Sequence, residues 1–200
     1  MSIVTLNNRA LKDATAVGSI TGLGDLVFIS RTTASSSSSV SITSGIDNTY
    51  KEYIFKFNNI HPSSNDTSFG INFSVDGGSN YNVTKTSTFF QAFHGEDGVV
   101  GTVAYQTSLD LAQSTSDQIV IGQIGNGNDE AGSGFLHLFA PSDTTFVKHY
   151  IVRGSRVGNN YNSDYFIAGY GNTTSAINAV RFAMSSGNID SGTIDLYGVN

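Results

Sequence analysis

Apolar and polar residues alternate with a period of two along several short segments of this 200-residue chain, and this pattern limits the fold more than any other feature. In the clearest segment, 50–58, three aromatic side chains fall on one face of an extended strand. The segment 69–75 repeats the alternation. Asp76-Gly77-Gly78 follows it and predicts a tight hairpin turn, because glycine accepts a positive φ. The pattern therefore predicts antiparallel strands joined by short turns.

Similar strand signals recur to the end of the chain, separated by segments rich in Gly, Asn and Ser, one of which is 158–164. The predicted strands are 25–33, 40–42, 50–58, 69–75, 86–94, 118–124, 134–139, 145–152, 165–170, 177–184 and 191–197. Helix periodicity is nearly absent after residue 24, so we expect an all-β, jelly-roll-like β-sandwich of about ten short antiparallel strands. The run 35–39 is interpreted as a polar loop that enters a strand. No linker rich in proline or charge divides residues 25–200, which predicts one domain.

Residues 1–24 form a short N-terminal arm in this interpretation, with weak helical character. The segment has enough apolar residues to dock on a partner but too few to fold alone. A frayed terminus is the alternative. The residues expected to serve assembly or attachment are Ile3, Val4, Leu6, Leu11, Val17 and Ile20.

The charge and the hydropathy of the chain argue against two classes of partner. The formal net charge is −6, and no cluster of Lys or Arg provides the basic face that nucleic acid requires. No apolar run approaches the roughly 20 residues of a membrane span. The N-terminus lacks the basic-then-apolar order of a signal peptide. We therefore expect neither nucleic-acid binding nor membrane insertion.

The sequence shows no motif typical of a metal-binding or cofactor-binding site. The chain has no cysteine, and its four histidines lack the spacing that places two imidazoles on one metal. These histidines are His61, His94, His137 and His149. The segment 125–130 is superficially like a calcium loop, but a solvated Asn/Gly turn is the preferred interpretation. We expect no metal and no cofactor.

Glycoside hydrolysis needs two carboxylates that face the same bond. The acidic residues therefore show whether this activity is plausible. The candidate pairs, Glu96/Asp97 and Asp129/Glu130, are adjacent in sequence and therefore point to opposite sides of an extended chain. No serine lies in a Gly-x-Ser-x-Gly motif. We expect no enzyme, and a polysaccharide-cleaving activity is kept only as a third hypothesis.

Tyrosines in or beside Asn/Gly/Ser loops are the best candidates for ligand contact. These are Tyr81, Tyr161, Tyr165 and Tyr170. Exposed aromatic rings beside amide side chains can hold a sugar or form a protein interface. The alternative is that the rings cap the ends of the sandwich.

Three blocks of sequence carry a resemblance to a known group of proteins. They are Tyr50-Lys-Glu-Tyr-Ile-Phe-Lys-Phe-Asn-Asn-Ile-His-Pro62, Asp76-Gly-Gly-Ser-Asn-Tyr81 and Phe182-Ala-Met-Ser-Ser-Gly-Asn-Ile-Asp-Ser-Gly-Thr-Ile-Asp-Leu-Tyr-Gly198. The chain resembles structural proteins of tailed bacteriophages, common in marine and cyanobacterial phages, over about residues 25–200. Its closing segment also resembles the final strands of trimeric fibre heads and of capsid decoration proteins.

The resemblance implies a β-sandwich displayed on the surface of the virion, and no catalytic residues come with it. The leading hypothesis is a capsid decoration protein. We expect it to form a homo-oligomer, with a homotrimer as the preferred state, and to attach to the major capsid protein or to tail proteins. The alternative is a tail-fibre or receptor-binding module that holds a host surface glycan through the loop tyrosines. Aromatic residues on both faces of strand 86–94, such as Phe90 and Phe93, predict core on one face and a neighbouring molecule on the other.

Overall fold

The computed structural model describes residues 26–200, which form twelve strands and no helix. The strands are β1 (Leu26–Ser37), β2 (Val40–Ile42), β3 (Glu52–Pro62), β4 (Thr67–Ser74), β5 (Lys85–Gly95), β6 (Gly101–Tyr105), β7 (Gln118–Ile124), β8 (Gly132–Phe139), β9 (Lys148–Gly158), β10 (Tyr161–Gly171), β11 (Ala179–Met184) and β12 (Ile189–Val199). The all-β prediction is confirmed. Within these residues there is accordingly no helix of the length and hydropathy that crossing a membrane would need.

The strands form two antiparallel sheets of unequal size. The larger sheet has eight strands in the order β1-β12-β3-β8-β9-β10-β5-β6, and the smaller has four in the order β2-β11-β4-β7. The architecture is that of a β-sandwich, while a jelly-roll connectivity stays a prediction. The predicted arm residues Ile3, Val4, Leu6, Leu11, Val17 and Ile20 lie outside the described residues.

Aromatic rings join the two sheets at the centre of the core. Phe57 of β3 packs edge-on against Phe69 of β4 with 5.5 Å between ring centroids, and Phe69 stacks on Phe182 of β11 at 5.8 Å. These side chains are fully buried. Alternation along each strand places them inward, because successive residues of a strand point to opposite faces.

A two-residue turn at Asn159 and Asn160 joins β9 to β10, and the prediction of a long loop over 158–164 is wrong. Both asparagines adopt a positive φ, 52° and 62°, which matches the twist of a tight hairpin. Asparagine tolerates this conformation better than most residues do. The two strands therefore run to the turn, several residues beyond their predicted ends.

The segment after β4 crosses from the smaller sheet to the larger one, so the prediction of a hairpin at Asp76-Gly77-Gly78 is also wrong. Gly77 and Gly78 do have positive φ, 72° and 90°. The Asp76 carboxylate accepts hydrogen bonds from Ser74 Oγ at 2.6 Å and from the backbone N–H of Asn80 at 2.8 Å. These bonds lower the pKa of Asp76 to about 2 and close the turn locally, without strand pairing.

Two further differences concern elements that the alternation did not indicate. β6 pairs with residues 90–94 of β5 and forms one edge of the larger sheet. Ser35 pairs with Ser191 and Ser37 with Ile189, so residues 35–37 of the serine run belong to β1, and only 38 and 39 form the predicted polar connection to β2. In both cases the strands pair through backbone hydrogen bonds. A short strand such as β6, or a strand of polar residues such as the end of β1, can form these bonds as well.

Candidate functional site

The four predicted tyrosines lie in three different places. Tyr81 covers the outer side of the smaller sheet, with the Arg181 guanidinium 5.0 Å from its ring centroid. Tyr170, at the end of β10, lies on the outer face of the larger sheet, and its hydroxyl accepts a hydrogen bond from Gln113 Nε2 at 3.2 Å. Tyr161 and Tyr165 lie on the inner side of β10. The four do not form one site.

Tyr165 is not the exposed loop residue that the sequence predicts. It lies within β10 and is 1% exposed, with its ring 5.7 Å from that of Phe89. The physical reason is the tight Asn159–Asn160 turn, which brings residue 165 well inside the strand. Its hydroxyl donates to the carbonyl oxygen of Gly122 at 2.8 Å.

An open cavity forms where the smaller sheet ends. β7 is the edge strand of that sheet, and the inner face of the larger sheet continues past it under β10 and β5. The cavity measures about 560 Å³, within the range of ligand pockets. Its lining consists of Ser68, Gln91, Phe93, Gln106, Ser108, Leu109, Gly122, Gln123, Arg156 and Tyr161, and we call it the Arg156 cavity.

Arg156 occupies an inward position of β9, where its strand neighbours on that face are core residues. Its side chain is buried, with 5% exposure. Its Nε donates to the Tyr165 hydroxyl at 3.1 Å, and its Nη1 donates to the Gly158 carbonyl. Within residues 26–200 its Nη2 has no hydrogen-bond partner and its guanidinium forms no ion pair. A buried cation held only by neutral acceptors is the unusual electrostatic feature of this cavity.

The walls of the Arg156 cavity combine aromatic rings with polar groups. Phe93 and Tyr161 meet edge to face, with 5.8 Å between ring centroids. Gln91 is almost fully buried, and its Nε2 lies 3.5 Å from Ser163 Oγ. A small number of polar groups around apolar rings is the usual composition of a small-molecule site. Sequence reasoning identified Tyr161 but missed Arg156, because the predicted strand 145–152 ends before it. Extension of that strand would have placed Arg156 on the inward face, in series with Tyr150, Val152 and Gly154.

A second surface feature lies on the outer face of the larger sheet. Strand pairing places Arg153, Phe166, Phe90 and Tyr105 in one row across β9, β10, β5 and β6. Five apolar or aromatic side chains at this end of the face are between 43% and 76% exposed. We call them the outer patch: Phe90, Val103, Tyr105, Ile151 and Phe166.

Residues 26–200 hold no group of three or more His, Asp and Glu side chains placed to bind one metal ion. In the segment once compared with a calcium loop, the Glu130 carboxylate accepts hydrogen bonds from the amides of Gly127 at 2.8 Å and Asn159 at 2.9 Å. This carboxylate therefore ties two turns together.

Comparison with known proteins found no matching family model, no similar curated protein and no similar solved structure.

Proposed function

We propose that this chain is a structural protein of a bacteriophage particle, without catalytic activity, that decorates the capsid surface as a homotrimer attached to the major capsid protein. The sequence resemblance supports the proposal. Two of its three blocks, 50–62 and 182–198, contain β3 and all but the last residue of β12, which are neighbouring antiparallel strands of the larger sheet. The resemblance thus covers strands that are adjacent in the fold, as expected if a whole domain is shared.

The outer patch is the observation on which the proposal depends. A solvent-facing sheet side normally carries polar residues, and a cluster of exposed apolar ones marks an interaction surface. Phe90 and Tyr105 are in edge-to-face contact at 5.3 Å, and Phe166 lies 4.3 Å from the Arg153 guanidinium. The three aromatic rings of the patch are therefore each held by a neighbouring side chain on the sheet, which suits a stable contact between molecules.

A second copy of the chain is the partner that the charges favour. The whole chain has a net charge of −6, which opposes self-association. The outer face of the larger sheet is closer to neutral, because three basic residues there offset most of the charge of four acidic ones. These are Arg31, Lys56 and Arg153 against Glu52, Asp164, Asp190 and Asp195. Around a threefold axis, this face can therefore lie beside the same face of two other copies with little net repulsion.

The edge strand β6 extends this interface. Its sequence, Gly101-Thr102-Val103-Ala104-Tyr105, has no charged residue and no proline, which are the usual protections of a sheet edge. Val103 is 76% exposed. An unprotected edge beside an apolar patch is typical of a strand that a neighbouring molecule covers.

Light scattering on the purified chain tests this proposal. We expect a mass close to three times 21.2 kDa for the natural chain and a monomer for the double variant Val103→Lys/Phe166→Lys. Val75→Lys is the matched control, because Val75 is also exposed but lies in the segment between the sheets. A monomeric natural chain, or a trimer that the double variant does not affect, would contradict this role of the outer patch.

A receptor-binding module of the tail, holding a host surface glycan, is the second candidate function. The Arg156 cavity favours it, because aromatic rings beside amide and hydroxyl groups are the chemistry of sugar recognition. Glycan-array binding that Tyr161→Ala removes would support this candidate. The absence of glycan binding would leave decoration as the single function.

A further inference from the structure

We propose that the Arg156 cavity binds an acidic sugar, with the guanidinium of Arg156 holding the sugar's carboxylate. This inference rests on the second candidate function and adds the chemical class of the ligand. Burial of a cation is unfavourable unless an anion or several hydrogen bonds compensate it. Residues 26–200 supply two neutral acceptors, the Tyr165 hydroxyl and the Gly158 carbonyl. The ligand's carboxylate would supply the missing negative charge.

The position of Arg156 fits this role. Its Nε and Nη1 are held by the protein, so the guanidinium has a fixed orientation before any ligand arrives. Its Nη2 has no described partner, and the residue lines the open cavity. A planar guanidinium that is already oriented binds a carboxylate with strong, charge-assisted hydrogen bonds.

The remaining walls suit a sugar ring better than a simple organic acid. Phe93 and Tyr161 provide apolar ring surface against which the C–H groups of a sugar can pack. Gln91, Gln106 and Ser108 provide donors and acceptors for hydroxyl groups. The volume of about 560 Å³ is large for a single carboxylate group.

Gly122 gives independent control of the space in the cavity. A Cβ at this position would meet the Tyr165 hydroxyl at 3.6 Å and Leu109 Cδ1 at 3.9 Å, which are ordinary contacts. Its φ is not among the positive values of the chain, so a larger residue introduces no backbone strain there. Gly122→Val therefore fills part of the cavity beside the Tyr165 hydroxyl without changing the charge of the site.

Binding of matched acidic and neutral sugars tests the inference. The probes are trisaccharides of galacturonic, glucuronic and mannuronic acid, their neutral methyl esters, sialyllactose and its neutral counterpart lactose. Titration calorimetry on the full chain should show at least one acidic probe bound about tenfold or more tightly than its neutral counterpart, as a charge-assisted hydrogen bond predicts. Gly122→Val and Arg156→Gln should each weaken that binding about tenfold or more, and the control Lys51→Gln, at an exposed cation outside the cavity, should leave it unchanged.

Each other outcome overturns a named part of the inference. Equal binding of acid and ester, lost in Gly122→Val, would keep glycan binding and reject the carboxylate. Equally tight binding of poly-glutamate would reject the sugar. No acid-dependent binding by any probe would reject the inference as a whole. If Arg156→Gln fails to fold, as judged by circular dichroism, the acid–ester comparison and Gly122→Val still decide.

Discussion

Cations at inward strand positions are the residue-scale feature that separates this sandwich from one with a purely apolar core. Lys85, Lys148 and Arg156 are all buried. Lys85 Nζ donates to Asn72 Oδ1 at 2.7 Å and to the Val83 carbonyl at 2.8 Å. Burial lowers the pKa of Lys85 to about 8, although the nearby Asp117 carboxylate acts in the opposite direction. A lysine in this state makes folding stability depend on pH.

Stability should rise as the pH increases through the window from about 8 to 10.5. In that window the unfolded chain keeps the Lys85 proton while the folded chain has released it, so removal of protons favours the folded state. Urea unfolding at pH 7.5 and pH 9.5 should show a gain of about 1–2 kcal/mol for the natural chain. Burial raises the pKa of Tyr150 and of Tyr53, so their opposing effect on stability begins only near pH 10.

Lys85→Met is the matched variant for this measurement. Its side chain is similar in length and has no titrating group, so most of the gain between the two pH values should disappear. Burial also lowers the pKa of Lys148, which accounts for any smaller gain that the variant keeps. The same gain in the variant would show that another group is responsible and that Lys85 titrates as an ordinary surface lysine.

At the scale of one residue, sequence patterns predict the inward aromatic residues and miss the inward polar ones. The aromatic residues of β3 stand out because polar residues flank them. Arg156 and Gln91 are polar residues at inward positions, and a pattern that equates inward with apolar cannot identify them. The Asn/Gly/Ser residues around Tyr161 correctly indicate a residue at a possible binding site. The same signal wrongly predicts that Tyr165 is in a loop, because the turn has only two residues although the Asn/Gly/Ser-rich segment is longer.

At the element scale, close packing within the larger sheet depends on glycine in β8. A Cβ at Gly134 would lie 2.2 Å from the Arg153 carbonyl oxygen and 2.6 Å from Phe57 Cε2. Backbone of β9 and a core ring thus occupy the space that any other side chain would need. Gly134 therefore permits the close approach of β3, β8 and β9.

Gly134→Ala should lower the free energy of unfolding by about 1–3 kcal/mol, because the strands must separate to admit the methyl group. Gly122→Ala is the control, since its Cβ would meet no atom closer than 3.6 Å. Denaturant unfolding of both variants provides the test. Equal stability of the two variants would mean that the larger sheet adjusts to the extra atom without loss of packing.

Most strands could be predicted from the sequence, but the ends of most of them could not. β7 has its predicted bounds, since apolar residues and turns delimit it on both sides. The ends of β9 and β10 near their shared turn do not follow from the pattern, because two inward residues there, Arg156 and Ser163, are polar and interrupt the apolar alternation. The crossing from β4 to β5 could not be distinguished from a hairpin, because both need the same turn residues and differ only in long-range pairing.

At the scale of the whole molecule, the proposal assigns attachment to residues 1–24 and self-association to the sandwich. Deletion of residues 1–24 should therefore abolish binding to particles and leave the fold and the trimer intact. A particle co-sedimentation assay measures binding, and circular dichroism with light scattering measures fold and assembly. A truncated chain that still binds particles would place the attachment surface within residues 25–200.

The location of the chain on a particle tests the central claim most directly. Particles are purified from a culture in which the chain is expressed from its native genome, labelled with a gold-tagged antibody against the sandwich and examined by electron microscopy. The proposal predicts many copies spread over the capsid surface. Intact particles that carry no label would contradict the claim that this chain is a structural protein of the virion.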